Sequence, residues 1–247
     1  MHFLIVNDDG IDSPFLPILA QAVKRAGHRV TVCVPATQQS AKAHAFSIEQ
    51  PVLAQQRDVA GADAAWALSG TPVDCCRIGV MNLAPDVDAV ISGINLGYNV
   101  GLAVYVSGTV GAAREATFLH KPGIAVSAEK QTPPDTLSYL SDWAVAMAEK
   151  LVQRGAPELT VCNLNAPPIP RSELKEPVLC PLNRAAYRDS YEQRESPRRQ
   201  TYFWLSPMQQ EPPRAGSDQA YLDAGHPTCT FLTIDGQSQE AFASWLA

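Results

Sequence analysis

The chain opens with Phe3-Leu4-Ile5-Val6, an unbroken apolar run that stops abruptly at Asn7. A short run without alternation, two of its residues β-branched, predicts a strand buried on both faces, as in a parallel sheet. Asp8, Asp9 and Gly10 follow, and Ser13-Pro14 then predicts a helix with a serine N-cap and proline at its first position. Leu16, Leu19, Ala20, Val23 and Ala26 recur at spacings of three and four before Gly27, with Pro17 in the tolerant first turn. Residues 29–34 (Arg-Val-Thr-Val-Cys-Val) predict a second strand. A β-α-β unit at the start of the chain implies a parallel pair with a right-handed crossover.

The same rhythm continues to about residue 165. Residues 35–45 read as a polar loop, and 46–53 and 65–68 as strands. Gly70-Thr71-Pro72 predicts a turn, a threonine N-cap and a helix reaching about Leu83. A short buried strand over 88–92 ends in Gly93-Ile94-Asn95-Leu96-Gly97, and a Gly-rich stretch to Gly111 precedes an Ala-rich helix over 111–120. A strand over 123–127, a helix over 136–152, a strand over 159–162 and the Pro-rich stretch 165–170 close this part. Beyond it the pattern breaks into strands at 176–182, 200–205 and 227–234, and a short helix at 241–246. The whole predicts an α/β fold with a mostly parallel sheet in a single domain, residues 1–247, with a core over about 1–165. The extension over 166–247 would be a β-hairpin or an arm reaching another subunit.

Composition narrows the classes. The chain has 247 residues, enough for one large core, and a formal net charge of −6 argues against a nucleic-acid groove. Arg194, Arg198 and Arg199 form a solvated cluster. No apolar run approaches the roughly 20 residues that cross a bilayer, and the start of the chain does not read as a signal peptide. Six cysteines, Cys33 and Cys162 among them in strand-like runs, read as reduced core residues of a cytoplasmic protein.

Two adjacent carboxylates at a strand end repel one another unless a cation or hydrogen-bond donors offset the charge. Asp8 and Asp9 are therefore either turn residues that cap the next helix or half of a cation site. Ser40 and Asn95 also follow predicted strands, and open α/β sheets bind ligands at those ends. Two carboxylates, a hydroxyl and an amide oxygen form an all-oxygen set suited to one Mg²⁺ or Mn²⁺ per subunit. Ser107-Gly108-Thr109 before the Ala-rich helix reads either as an anion cradle or as a plain loop with an N-cap. It matches neither G-x-G-x-x-G nor G-x-x-x-x-G-K-[ST]. A cation beside a phosphate cradle predicts phosphoryl chemistry with metal-activated water. His2, His28, His44, His120 and His226 are scattered, and none is placed as a nucleophile.

Asn7-Asp8-Asp9-Gly10 with Pro14, Pro35 with Ser40, Gly70-Thr71-Pro72-Val73-Asp74-Cys75, Ser92-Gly93-Ile94-Asn95-Leu96-Gly97-Tyr98-Asn99 and Ser107-Gly108-Thr109-Val110-Gly111-Ala112-Ala113 together resemble the SurE family of stationary-phase survival proteins. The blocks fall in the family's order. The resemblance implies a Rossmann-like three-layer sandwich and a metal-dependent phosphatase acting on nucleoside monophosphates. It implies Asp8, Asp9, Ser40 and Asn95 as metal ligands, and a homodimer or homotetramer with an exchanged C-terminal arm. Asp8 and Asp9 would be catalytic, while Asn95, Ser107, Gly108 and Thr109 would meet substrate or phosphate. The sequence departs from the family at Val106, usually tyrosine, at Ala41-Lys42-Ala43-His44, at Ser196-Pro197-Arg198-Arg199-Gln200 and at Thr230-Phe231-Leu232. These departures bear on substrate preference, arm and oligomer.

The alternative of a different class is a catalytically weakened or inactive nucleotide-binding module on the same fold. A phosphatase with an aspartyl nucleophile requires Asp-x-Asp, and Gly10 stands where the second acid belongs. Nothing marks a sugar-nucleotide site.

Overall fold

All five residues of His2–Val6 are buried, because the strand they form lies in the interior of a sheet with helices on both faces. The computed structural model describes residues 1–185, 187–188, 190–206 and 209–234. In chain order the elements are β1 (His2–Val6), α1 (Leu16–Arg25), β2 (Arg29–Pro35), β3 (Ala54–Arg57), β4 (Ala64–Leu68), α2 (Pro72–Ile78), β5 (Ala89–Leu96), α3 (Gly108–Phe118), β6 (Gly123–Ala128), α4 (Pro134–Arg154) and β7 (Thr160–Ala166). The C-terminal part adds β8 (Val178–Leu179), β9 (Tyr187–Arg188), β10 (Tyr191–Glu195), β11 (Thr201–Leu205), β12 (Gln209–Gln210), α5 (Asp218–Asp223) and β13 (Thr228–Thr233).

Among the described residues nine strands form one sheet in the order β3-β4-β2-β1-β5-β6-β7-β13-β8. From β4 to β7 every pairing is parallel, while β3 and β13 run antiparallel to their neighbours β4 and β7. On one face α1 and α4 bury Leu16, Leu19, Val23, Leu137 and Leu140 against Phe3, Ile5 and Ile91. On the other, α2 and α3 bury Cys75, Cys76, Ala112 and Ala116 against Leu4, Val6 and Val90. This is the expected three-layer α/β sandwich. The strand order reverses at β1, between β2 and β5, which opens a crevice outside their carboxyl ends. All six cysteines are buried and unbridged. Among the described residues no helix is long and apolar enough to cross a membrane.

Several boundaries differ from those the sequence predicts. Ser13 does not cap α1: the helix starts at Leu16 after Phe15, and the Ser13 hydroxyl is buried without a partner. Residues 46–53 are not a strand. Ile48 is 82% and Leu53 68% exposed, so their apolar side chains have no sheet face to cover, and pairing begins only at Ala54. The Thr71 cap forms as a full capping box with Asp74, but α2 ends at Ile78, and Gly79–Leu83 continues it as a π turn. Gly79 lies against the Leu4 side chain, where a β-carbon would stand 2.6 Å from Leu4 Cδ2. β5 runs on past Ser92 to Leu96, because after a register shift Asn95 and Leu96 pair with Ser127 and Ala128. α3 starts at Gly108 rather than Gly111, capped by the Ser107 hydroxyl on the Val110 N–H. Of residues 176–182 only Val178–Leu179 is a strand. The expected helix over 241–246 lies outside the described residues.

The C-terminal part divides in two. β13 joins the main sheet and brings β8 with it. β10 and β11 form a separate antiparallel hairpin, with Tyr191, Phe203, Trp204 and Leu205 exposed.

Gly123 opens β6 where it passes α3, and a β-carbon there would fall 1.9 Å from the Ala113 carbonyl oxygen. Gly123→Ala is expected to cost about 3 kcal/mol, the upper end of ordinary overpacking, because backbone and not a flexible side chain must move. Urea denaturation reads this as a lower midpoint with an unchanged slope. An unchanged midpoint would contradict the packing of α3 on β6.

Candidate active site

The turn after β1 is built by its own residues. Asn7 donates from Nδ2 to the Gly10 carbonyl and accepts the Gly10 N–H on Oδ1, both at 3.0 Å. Gly10 has φ +89°, and a β-carbon there would press on the Pro35 carbonyl and the Thr37 backbone. The turn therefore needs glycine on two counts. Its effect is to set two carboxylates beyond the end of β1, at the crevice.

Asp8 is only 4% exposed. The Thr109 hydroxyl donates to Asp8 Oδ1 at 2.6 Å, and the main-chain N–H groups of Gly108 and Thr109 also act on the carboxylate. Gly108 leaves the space: a β-carbon there would stand 3.0 Å from Asp8 Oδ2. The helix N-terminus predicted to cradle an anion thus receives the protein's own carboxylate. Burial nevertheless holds the Asp8 carboxyl above its ordinary value, against the pull of Thr109 and the N–H groups. Asp9 accepts the Leu96 N–H on Oδ2 at 3.0 Å. Burial first, and then the adjacent Asp8 charge, push Asp9 up to about 6.

Asn95, next to the last residue of β5, donates from Nδ2 to the Gly97 carbonyl at 2.7 Å. Its amide nitrogen is thereby committed, and the oxygen is the atom left for a ligand. Ser40 reaches the turn through backbone: the Gln39 N–H donates to the Asp8 carbonyl at 2.7 Å. The Ser40 hydroxyl is exposed and accepts from Gln38 Nε2 at 3.1 Å. Direct bonds to flanking residues therefore converge Asp8, Asp9 and Asn95, while Ser40 is tethered by its neighbour. Ser107 caps α3 and Thr109 holds Asp8, so both hydroxyls have partners within the protein.

Sequence reasoning left His44 as an ordinary surface or core residue, and passed over Glu115 altogether. Glu115 is 2% exposed on α3, and its carboxylate binds both His44 Nε2, at 2.7 Å, and Arg77 of α2. His44 stacks on Phe118, and Arg77 lies 5.0 Å over the Phe46 ring. Ser47 bonds Asp74 through N–H and hydroxyl, Thr71 donates to the Ala45 carbonyl, and Ala43 N–H to that of Val106. The loop that follows Ser40 is thus fastened along its length to α2 and α3. The signal was a lone acid in an Ala-rich helix, four residues after a glycine. Gly111 gives the loop room, since a β-carbon would stand 2.2 Å from the Ala43 carbonyl, and Glu115 on the same face holds it.

The donor set fits a hard divalent cation. Among the described residues no lysine, arginine or histidine pairs with Asp8 or Asp9, so their charge is balanced by hydrogen-bond donors alone. The set is oxygen throughout. Among the described residues no group of three or more His, Cys, Asp or Glu forms a metal cage. The candidate instead combines two acids with neutral oxygens.

Comparison with known proteins identifies the family. The family model described as "Survival protein SurE" matches residues 3–189. The 5′-nucleotidase SurE of Maridesulfovibrio salexigens is 37% identical over 99% of this chain and 97% of its own. That of Solidesulfovibrio magneticus is 38% identical over 100% and 97%. The crystal structure of the SurE protein from Aquifex aeolicus superposes with a TM-score of 0.81 at 28% identity, covering 99% of this chain and 98% of that one.

Two outcomes follow for the metal-free protein. Asp9 binds its proton more tightly folded than unfolded, so its contribution is fully present below about pH 4, its unfolded value, and is lost as pH rises through about 6. Asp9→Asn is expected to flatten that decline and to raise the melting temperature at pH 7.5 in chelator. A lower melting temperature would contradict it. Arg77→Ala leaves a buried carboxylate with one partner, whereas Glu115→Gln leaves partners that reach water. The first is expected to cost about 2 kcal/mol more than the second in denaturant unfolding. Equal costs would contradict the clamp.

Proposed function

Because the chain belongs to the SurE family, we propose that it hydrolyses nucleoside 5′-monophosphates to nucleoside and phosphate with one bound Mg²⁺ or Mn²⁺ per subunit. The enzyme class is 5′-nucleotidase, the name its full-length relatives carry. The observation that supports the metal-dependent reaction most is the acid pair at the crevice, Asp8 buried and Asp9 half-buried, which among the described residues has donors but no cationic side chain.

Asp8, Asp9, Asn95 and Ser40 would hold the ion through their oxygens. When bound, such an ion polarises a phosphoryl oxygen and lowers the pKa of an attached water. Asp8, fixed by Thr109 and the start of α3, is the rigid ligand. Asp9 is the more open of the two and is suited to orient the attacking water. Asn95 is committed at its nitrogen and presents its oxygen. The phosphate would lie beside Ser107-Gly108-Thr109, sharing the start of α3 with the Asp8 carboxylate and relying on the ion to offset that charge. The clamp of His44, Glu115 and Arg77 positions the loop that carries Ser40. The same reading takes the whole chain as one domain in a cytoplasmic homodimer or homotetramer, with the exposed apolar hairpin β10–β11 as its contact arm.

Phosphate release from AMP or GMP is expected to require Mn²⁺ or Mg²⁺ and to stop in excess chelator. Asp8→Asn is expected to lower kcat/KM at least about 100-fold, the upper end of what losing even an outer partner of a metal site costs. Turnover undiminished in that variant, or in chelator, would overturn the reading.

A further inference from the structure

Beside the acid pair, along the same carboxyl edge of the sheet, lies a cleft of about 530 Å³ that the reaction as described does not use. Tyr98 enters it from the end of β5, Glu129 and Gln131 from the end of β6, and Ile169 from the segment after β7. Leu222 closes it from α5. Its distance from the site follows from register. The Leu96 N–H is bound to Asp9, Leu96 pairs with Ala128, and Glu129 is the next residue. From the end of β1 to the end of β6 is two strand spacings, about 10 Å.

The cleft is held open by hydrogen bonds behind it. The Asn99 N–H donates to Asn165 Oδ1, Asn163 and Asn165 both donate to the Asn99 carbonyl, and Asn99 Nδ2 donates to the Ser127 hydroxyl. Gly101 N–H donates to Asp218. On the other side of Tyr98 the Gly97 N–H donates to the Ala128 carbonyl at 2.8 Å, so its backbone is pinned on both sides and little ordering is left for a ligand to impose.

Its chemistry is not that of a phosphate site. Ile169, Leu222, the prolines after β7 and the Tyr98 ring are apolar surfaces. The polar groups are Gln131 and the carboxylates of Glu129, Glu173 and Asp223, with no lysine, arginine or histidine among the lining residues. A phosphate is repelled here. A planar ring with apolar faces and N–H groups on its edge is not.

We propose that this cleft receives the nucleobase of the substrate, with Tyr98 as its stacking surface and Glu129 as the group that favours guanine. The inference rests on the nucleotide reading above and adds the substrate's orientation and its preferred base. The phosphate end goes to Asp8 and Asp9, and the base lies across the ends of β5 and β6. Guanine presents two adjacent N–H donors, which a single carboxylate accepts together. Adenine presents one donor beside one acceptor, which suits an amide such as Gln131 better.

The test compares GMP, AMP and ribose 5-phosphate, the last being the same ester without a base, in the full-length protein with Mn²⁺. For Tyr98→Ala the ratio of kcat/KM for GMP to that for ribose 5-phosphate is expected to fall about tenfold, mainly through KM, as loss of a base-stacking ring does. The AMP ratio should fall alongside it. For Glu129→Gln the GMP ratio is expected to fall about tenfold, with the AMP ratio changing less. Ratios that stay at the wild-type value in both variants would overturn the proposal, including the case where all three substrates decline together because the fold is disturbed. If wild-type protein releases phosphate from none of the three, the nucleotidase reading fails, and the cleft is judged by calorimetry with guanosine. Binding weakened about tenfold by Glu129→Gln sustains the proposal, and equal or absent binding to wild type overturns it.

Discussion

The contact on which this structure turns is the seat of the Asp8 carboxylate on the first turn of α3. A nearly buried anion beside a second carboxyl would be expelled, protonated or unfolded without compensation. Here the Thr109 hydroxyl and two main-chain N–H groups supply it, and the helix dipole adds to them. The compensation is incomplete, since both carboxyls remain above their ordinary range. On the proposed reading, a bound cation would complete that compensation.

The same helix carries a second anion for a different purpose. Glu115, two turns further along α3, draws in His44 and Arg77 and so fixes the loop after Ser40. Gly108 and Gly111 permit both approaches, the first by leaving room for Asp8 and the second by leaving room for Ala43. One short helix therefore positions both Asp8 and the loop that follows Ser40. A change at Gly111 or Glu115 would reach the site through the loop without touching Asp8.

Much of this was legible in the chain. The buried β1 run, the alternation of strands and helices and the capping box at Thr71 each rest on local sequence, and each formed. The convergence of Asp8, Asp9 and Asn95 followed from one rule, that strands of a parallel sheet deliver their ends to a common edge. What failed to show was long-range. Residues 46–53 have the composition of a strand but lie outside any sheet, held by Asp74 and Ser69. Ser13 precedes a proline and looked like a cap, yet the helix begins later. The clamp of His44, Glu115 and Arg77 joins residues 33 to 71 positions apart, a spacing that no periodicity reports. Ser107 and Thr109 were visible as a helix start, but not that the bound anion would be Asp8.

Position along the sheet edge then sorts the chemistry: acids and neutral oxygens at β1 and β5, a helix start for phosphate beside them, and a cation-free cleft further along at β6 and β7. The proposed orientation lays a nucleotide along that edge, phosphate toward β1 and base toward β6. The most direct measurement of the central claim is an anomalous difference map from crystals soaked in Mn²⁺. The account predicts a single strong peak per subunit within coordination distance of carboxylate oxygens of Asp8 and Asp9 and of the Asn95 amide oxygen. A peak bound elsewhere, or none at the acid pair in crystals of protein that is active with Mn²⁺, would contradict it.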